Sequence, residues 1–236
     1  MTLKLEIWKN QNELYNRAVE IISEQLMSGA KTFGLATGGT MIPLYKNLRN
    51  SKLDFSHCQS VNLDEYVGVS KDHPESYYTF MRSHLFDAKP FKVTNIPDGV
   101  AEDIQKESKA YENLLKSLTV DLQILGVGEN GHIGFNEPGT AFTSETHVVE
   151  LTTSTREANA RFFQSIEEVP KLAITMGISS ILRAECILLL AIGEKKRPAI
   201  EALLKGKITE DIPVTSILQH SNVILLTDLS IEEEGT

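Results

Sequence analysis

The chain has 236 residues, of which 41% are hydrophobic, a length and composition typical of one large globular domain or two small ones. Its net charge of −9 argues against a broad basic surface for nucleic acid. The sequence has neither an apolar leader nor a run of about 20 apolar residues, so we expect a cytoplasmic protein and no membrane partner. Cys58 and Cys186 lie in apolar runs and are expected to be buried thiols.

The first half of the chain alternates short apolar runs with helical patterns. A strand is predicted at 3–7, and the helix after it is expected to start at a cap, Asn10 or Asn12, and to end at Gly29. Further strands are predicted at 33–36, 58–63 and 121–125, and helices at 43–48, 76–86 and 103–118.

The same alternation continues in the second half. Strands are predicted at 147–151, 172–175, 186–192 and 223–226, and helical segments at 154–163, 178–183, 197–204 and 214–219. Several of these strands are continuous apolar runs, as in strands buried on both faces. The pattern therefore predicts a single α/β domain over 1–236. Its expected core is an open, mainly parallel sheet with helices on both faces, a Rossmann-like three-layer sandwich.

Unusual chemistry follows three of the predicted strands. One strand leads into Thr37-Gly38-Gly39-Thr40, another into Asp64-Glu65-Tyr66, and a third into the glycine-dense stretch 125–139. Because the carboxyl ends of parallel strands lie along one edge of a sheet, these segments are expected to converge although they are far apart in sequence. The sequence therefore predicts a functional site at that edge.

Two glycine-rich patterns need separate interpretations. Gly126-x-Gly128-x-x-Gly131 matches the dinucleotide fingerprint, but no helix pattern follows it, so we reject nucleotide binding. The turn 37–40 is either a tight connection or a phosphate cradle made of backbone N–H groups and two hydroxyls. No Gly-Lys-Ser/Thr follows it, which excludes a nucleotide P-loop.

His132 is the informative histidine, because it lies inside the glycine-dense stretch with Glu137 nearby. Histidine is the side chain best suited to proton transfer near neutral pH, and Glu137 is a candidate to orient it. Asp64 and Glu65 are either loop charges, a helix cap or, for Asp64, a positioned base. The other histidines are expected to be structural: His57, His73, His84, His147 and His220. No spacing of His, Cys and Asp in the sequence matches a metal site.

Five motifs, in order along nearly the whole chain, resemble the glucosamine-6-phosphate deaminase family. They are Ala36–Thr40, Asn62–Gly68, His73–Tyr77, Gly131–Gly139 and Ala173–Gly177. The resemblance implies an α/β sheet of the kind expected above. It also implies conversion of D-glucosamine 6-phosphate and water to D-fructose 6-phosphate and ammonia in amino-sugar catabolism, with no organic cofactor and no metal.

The resemblance also implies roles for particular residues. His132, held by Glu137, would open the sugar ring, and Asp64 would move the C2 proton to C1. The phosphate would bind to the turn Thr37-Gly38-Gly39-Thr40, and two cationic side chains would contact it: Arg161 and Lys196.

Two positions depart from the family pattern. Asn130 stands where many members have aspartate, and an amide orients a ring without stabilising an imidazolium by charge, so His132 should depend more on Glu137. His147 and Val149 stand where members activated by N-acetylglucosamine 6-phosphate carry basic residues. We therefore expect weak or absent activation by that effector, and a monomer or small homo-oligomer.

Two other functions compete with this interpretation. A 6-phosphogluconolactonase uses a related scaffold, but a lactone hydrolase needs no base at C2. A sugar-phosphate sensor is disfavoured by the negative net charge and by the lack of a helix-turn-helix extension, and it would not need both Asp64 and His132.

Overall fold

The computed structural model describes residues 3–160, 163 and 165–231. Within these ranges seven strands form one sheet in which every neighbouring pair is parallel. In spatial order they are β1 (Leu3–Ile7), β10 (Val223–Thr227), β9 (Ile187–Ala191), β6 (Leu122–Gly126), β2 (Thr32–Leu35), β3 (Gln59–Asn62) and β5 (Val93–Asn95). The predicted parallel α/β sheet is confirmed.

Helices connect the strands and complete the three-layer arrangement. They are α1 (Gln11–Met27), α2 (Met41–Asn50), α3 (Tyr77–Met81), α4 (Ile104–Ser117), α5 (Thr153–Asn159), α6 (Ile178–Ile181) and α7 (Arg197–Leu204). A π-helical turn, Arg82–Phe86, continues α3, and 3-10 turns form at Ile166–Glu168, Glu194–Lys196 and Pro213–Gln219. All residues of β9 are buried, as expected of a strand that is covered on both faces. None of the helices in the described ranges is long and apolar enough to cross a membrane.

Local signals account for the bounds of α1. The Asn10 side chain accepts the backbone N–H of Asn12 and caps the start of the helix. At the other end Gly29 adopts φ +97°, a left-handed conformation that glycine accepts without steric cost. Both predicted end signals are therefore used, and the cap is Asn10.

A second, smaller sheet was not predicted. Its strands are β4 (Asp64–Tyr66), β8 (Leu172–Thr175) and β7 (His147–Glu150), in that spatial order, and both pairings are antiparallel. Nothing in the pattern of the predicted strands 147–151 and 172–175 separates them from the main sheet. The physical reason is that a parallel neighbour needs a crossover, usually helical, and residues 127–146 between β6 and β7 contain no helix.

The strand order of the main sheet creates a crevice at its carboxyl edge. β2 and β6 are neighbours, and the chain leaves β2 through α2 towards β3 on one side, whereas β9, the next strand after β6 in this sheet, lies on the other side. Connections that diverge in this way leave a crevice between adjacent strand ends, where open α/β sheets bind ligands. The turn 37–40 and the glycine-dense stretch flank this crevice.

Candidate active site

The glycine-dense stretch after β6 folds into a compact loop around His132. The Gly128 N–H donates to the His132 carbonyl (2.8 Å), and the Gly131 N–H donates to the Gly128 carbonyl (3.1 Å). The imidazole ring lies directly over Gly128, since a Cβ placed there would be only 2.2 Å from His132 Nδ1. Glycine at 128 is therefore required by the ring.

We expect Gly128→Ala to lower turnover by roughly 10²-fold, because the added methyl pushes the imidazole out of its position. Gly126→Ala is the matched control, since its Cβ would meet only the end of the flexible Met41 side chain at 3.4 Å. Steady-state kinetics and thermal unfolding of both variants check this. Equal activity in the two variants would contradict the required close approach of the ring at 128.

A chain of hydrogen bonds holds the His132 ring. Nδ1 lies 2.7 Å from Asn130 Oδ1, and the Asn130 amide donates from Nδ2 to Glu137 Oε2 (2.7 Å). A carboxylate only accepts, so the NH₂ group of Asn130 faces Glu137 and its oxygen faces His132. The neutral ring therefore carries its proton on Nδ1 and has Nε2 as its basic nitrogen. Glu137 Oε2 itself lies 3.7 Å from Nδ1.

The surroundings of His132 favour its neutral form. Burial is the largest influence and lowers the pKa of His132; the charge of Lys196 lowers it further, whereas Glu137 and Glu129 oppose this. Lys196 belongs to the turn Glu194–Lys196 after β9, as expected of a residue at the same sheet edge. A neutral imidazole near neutral pH is ready to accept a proton.

Asp64 begins β4, two residues beyond the end of β3, and only 6% of its surface is exposed. Burial, and then the charge of Glu65, raise its pKa to about 8. No hydrogen bond between described residues ends on its carboxylate. It is therefore a buried carboxyl group whose proton is not committed to a structural partner.

Gly134 brings the His132 loop close to Asp64. Its φ of +57° is left-handed, and a Cβ there would lie 3.0 Å from Thr175 Oγ1 and 3.5 Å from Asp64 Oδ2. The residue two positions after His132 thus lies close to the Asp64 carboxylate, with space for no side chain between them. The predicted convergence of these two strand ends is present in the structure.

Glu65 has a different task from its neighbour Asp64. It accepts the backbone N–H groups of Tyr77 and Tyr78 (3.0 Å each), which are the first residues of α3, and also that of Tyr66 (2.9 Å). Burial raises the pKa of Glu65, although these three hydrogen bonds oppose the rise. Of the two adjacent carboxylates, Glu65 caps a helix and Asp64 is left for chemistry.

The turn Thr37-Gly38-Gly39-Thr40 joins β2 to α2 at the other side of the crevice. Gly38 has φ +95°, and Thr40 at the N-cap of α2 makes no side-chain cap hydrogen bond. The Thr40 side chain therefore does not cap α2. The Met41 N–H donates to the Gly38 carbonyl (3.0 Å) and Pro43 has no N–H, so the Ile42 N–H and those of the turn are the groups suited to an anion. Arg161, the other predicted phosphate contact, lies outside the described residues.

Fold and site together are those of an α/β enzyme with two acid–base candidates and a glycine-rich turn at one sheet edge. The sequence profile of the glucosamine-6-phosphate isomerases/6-phosphogluconolactonase family matches residues 9–226. A glucosamine-6-phosphate deaminase of Lysinibacillus sphaericus is 55% identical over 88% of this chain and 94% of that protein. The chain belongs to this family.

Solved structures agree with the family assignment. A monomeric glucosamine-6-phosphate deaminase is 43% identical and superposes with a TM-score of 0.90, covering 96% of this chain and 97% of that one. A 6-phosphogluconolactonase of Thermotoga maritima, 18% identical, has a TM-score of 0.76 over 96% of this chain and 99% of that one. The second likeness shows the shared fold alone.

Sequence reasoning did not identify all residues that shape the site. In the sequence, Gly128 and Gly134 are only two members of a glycine-rich stretch, and their closeness to His132 and Asp64 depends on the folded loop. The sequence pattern places Thr155 only within a predicted helix, whereas in the structure its hydroxyl donates to Glu137 Oε1. No sequence signal pairs residues 137 and 155.

Proposed function

We propose that the protein converts D-glucosamine 6-phosphate and water to D-fructose 6-phosphate and ammonia, as an enzyme of amino-sugar catabolism. The observation that carries this proposal is the close approach of the His132 loop to the Asp64 carboxylate at Gly134. Two acid–base groups with opposite pKa shifts lie at one sheet edge. Ring opening and proton transfer at carbon need two such groups.

His132 is the group proposed for ring opening. Its Nε2 takes the proton of the anomeric hydroxyl while Asn130 holds Nδ1–H in place, which fixes the tautomer and the ring plane. As the ring becomes cationic, Glu137 at 3.7 Å stabilises it through space. The proton then passes to the ring oxygen as the pyranose opens to the aldehyde.

Asp64 is the group proposed for the chemistry at C2. The aldehyde at C1 acidifies the C2–H bond, and ionised Asp64 removes that proton. Protonation at C1 by the same carboxyl group moves the double bond to C2 and gives an imine there. Water adds to the imine carbon, and ammonia leaves to give the ketone of fructose 6-phosphate. The steps proposed here use only side chains, the substrate and water.

The phosphate is proposed to bind at the N-terminus of α2. The turn Thr37-Gly38-Gly39-Thr40 offers backbone N–H groups and two hydroxyls there. Lys196 supplies positive charge from the opposite side of the crevice, and Arg161 is proposed to join it. A phosphate bound at this turn also orients the sugar relative to Asp64 and His132.

The competing activity is lactone hydrolysis, which relatives with this fold carry out. A hydrolase of that kind attacks a carbonyl with water and has no proton to remove at C2. The buried Asp64 carboxyl, which has no hydrogen-bond partner among the described residues, favours the deaminase.

The proposed function is tested by offering the purified protein both substrates. We expect ammonia and fructose 6-phosphate from glucosamine 6-phosphate, and no acid release from 6-phosphogluconolactone above the spontaneous rate. Rapid lactone hydrolysis without ammonia release would assign the protein to the other branch of the family.

The quaternary state and location belong to the same proposal. A monomer or small homo-oligomer is favoured by His147 and Val149 at the expected effector positions and by the monomeric relative. Mass determination by light scattering addresses this directly. A cytoplasmic location suits the proposed metabolic role.

A further inference from the structure

The two oxygens of the Glu137 carboxylate have different partners. Oε2 accepts from the Asn130 amide and faces the His132 ring, as described above. Oε1 accepts from the hydroxyl of Thr155, which is 18 residues further along the chain. With only 9% of Glu137 exposed, both oxygens depend on these protein donors more than on water.

The direction of the hydrogen bonds around Thr155 is fixed. A carboxylate only accepts, so the Thr155 hydroxyl donates to Glu137. Thr155 Oγ1 in turn accepts from the hydroxyl of Thr152 (3.0 Å), and Thr152 Oγ1 also accepts the Thr155 N–H (3.2 Å) as the N-cap of α5. Thr155 is 6% exposed. The hydrogen bonds therefore run without a break from the start of α5 to His132.

We propose that Thr155 is a positioning residue of the active site, which holds the Glu137 carboxylate in the orientation that serves His132 and couples the first turn of α5 to ring opening. Thr155 acts through Glu137 and does not touch the substrate. The effect on turnover rests on the proposed function, whereas the effect on His132 itself does not.

The charged groups that face His132 determine in which direction its pKa should change when the Thr155 hydroxyl is removed. Glu137 and Glu129 raise the pKa of its ring, while burial and Lys196 lower it. Without the Thr155 hydroxyl, Oε1 is buried and lacks its donor, so the carboxylate rotates to regain a partner. Rotation moves its charge away from Nδ1, and the pKa of His132 falls.

The test compares Thr155→Val with Thr155→Ser. Val keeps the shape and removes the hydroxyl, and we expect kcat to fall by about 10- to 100-fold with little change in KM. The NMR titration of the His132 ring in the substrate-free enzyme should move to lower pH. Ser keeps the donor and should restore both values. Thr155→Ala is a second variant if Val crowds the Thr152 hydroxyl.

Two controls separate positioning from packing. Thr153→Val changes an exposed threonine of the same helical turn and should alter neither kcat nor the His132 titration. When Glu137→Gln is already present, adding Thr155→Val should lower kcat little further, because the effect of Thr155 passes through the Glu137 carboxylate. An unchanged His132 titration in Thr155→Val, or equal impairment in Thr155→Ser, overturns the proposal. Absence of ammonia release in the wild type would instead count against the proposed function and leave the titration test intact.

Discussion

Asp64→Asn should reduce the rate of ammonia release by about 10²- to 10⁴-fold, since it removes the group that moves the C2 proton. Substrate binding should change little, because the amide matches the protonated carboxyl group in size and charge. That form of Asp64 predominates below a pH of about 8. Steady-state kinetics measures this, with Asp121→Asn as the matched control. Asp121 accepts two backbone N–H groups near the start of β2, at the opposite edge of the sheet.

The raised pKa of Asp64 adds a pH signature. As a base Asp64 must be ionised, so kcat/KM of the wild type should rise as the pH approaches about 8. The folded pKa lies above the unfolded value of 3.8, so the folded state binds more protons between those two values. The free energy of unfolding therefore falls as pH rises through this window. In Asp64→Asn this contribution to the pH dependence of stability should be absent. Unfolding midpoints measured across the window check it.

His132→Gln should also lower kcat by about 10²- to 10⁴-fold, for a different reason. The glutamine side chain has no basic nitrogen comparable to the Nε2 of the imidazole, so the closed sugar must open without help. Because the pKa of His132 is lowered by burial, the wild-type ring is already neutral near neutral pH. The loss should therefore persist over the neutral range, which a pH series of initial rates measures.

A histidine outside the site provides the control for this variant. The Nε2 of His220 lies 2.6 Å from the Ala184 carbonyl oxygen, and its Nδ1 accepts the backbone N–H of Asn222 (3.1 Å). His220 precedes β10 and so lies at the amino ends of the strands, away from the carboxyl edge. His220→Gln should affect stability and leave kcat near the wild-type value. If the two histidine variants lost activity equally, ring opening by His132 would not be supported.

The main sheet was predictable because its signals are local. The cap at Asn10, the terminator Gly29 and the apolar runs of the strands each identify an element without reference to the rest of the chain. β5 escaped prediction because it is a three-residue edge strand with exposed Val93 and no apolar run. The second sheet escaped because its antiparallel pairing, such as Asp64 with Thr175, joins distant segments. A single domain stays a prediction.

The sequence was enough to predict which strand ends form the site, but not which side chains contact each other there. Parallel topology alone places Asp64, His132 and the turn 37–40 at one edge. The position of the Asn130 amide between His132 and Glu137 depends on how the loop folds. The sequence shows only that these three residues are near one another along the chain. The Thr155 contact depends on how α5 packs after β7, which no periodicity reports.

The central claim is that Asp64 carries the proton at C2 once His132 has opened the ring. Single-turnover ammonia release, with enzyme in excess over glucosamine 6-phosphate, tests it most directly because product release does not limit the rate. We predict that Asp64→Asn binds the sugar as the wild type does and releases ammonia at least about 10²-fold more slowly. A rate close to that of the wild type would contradict the claim.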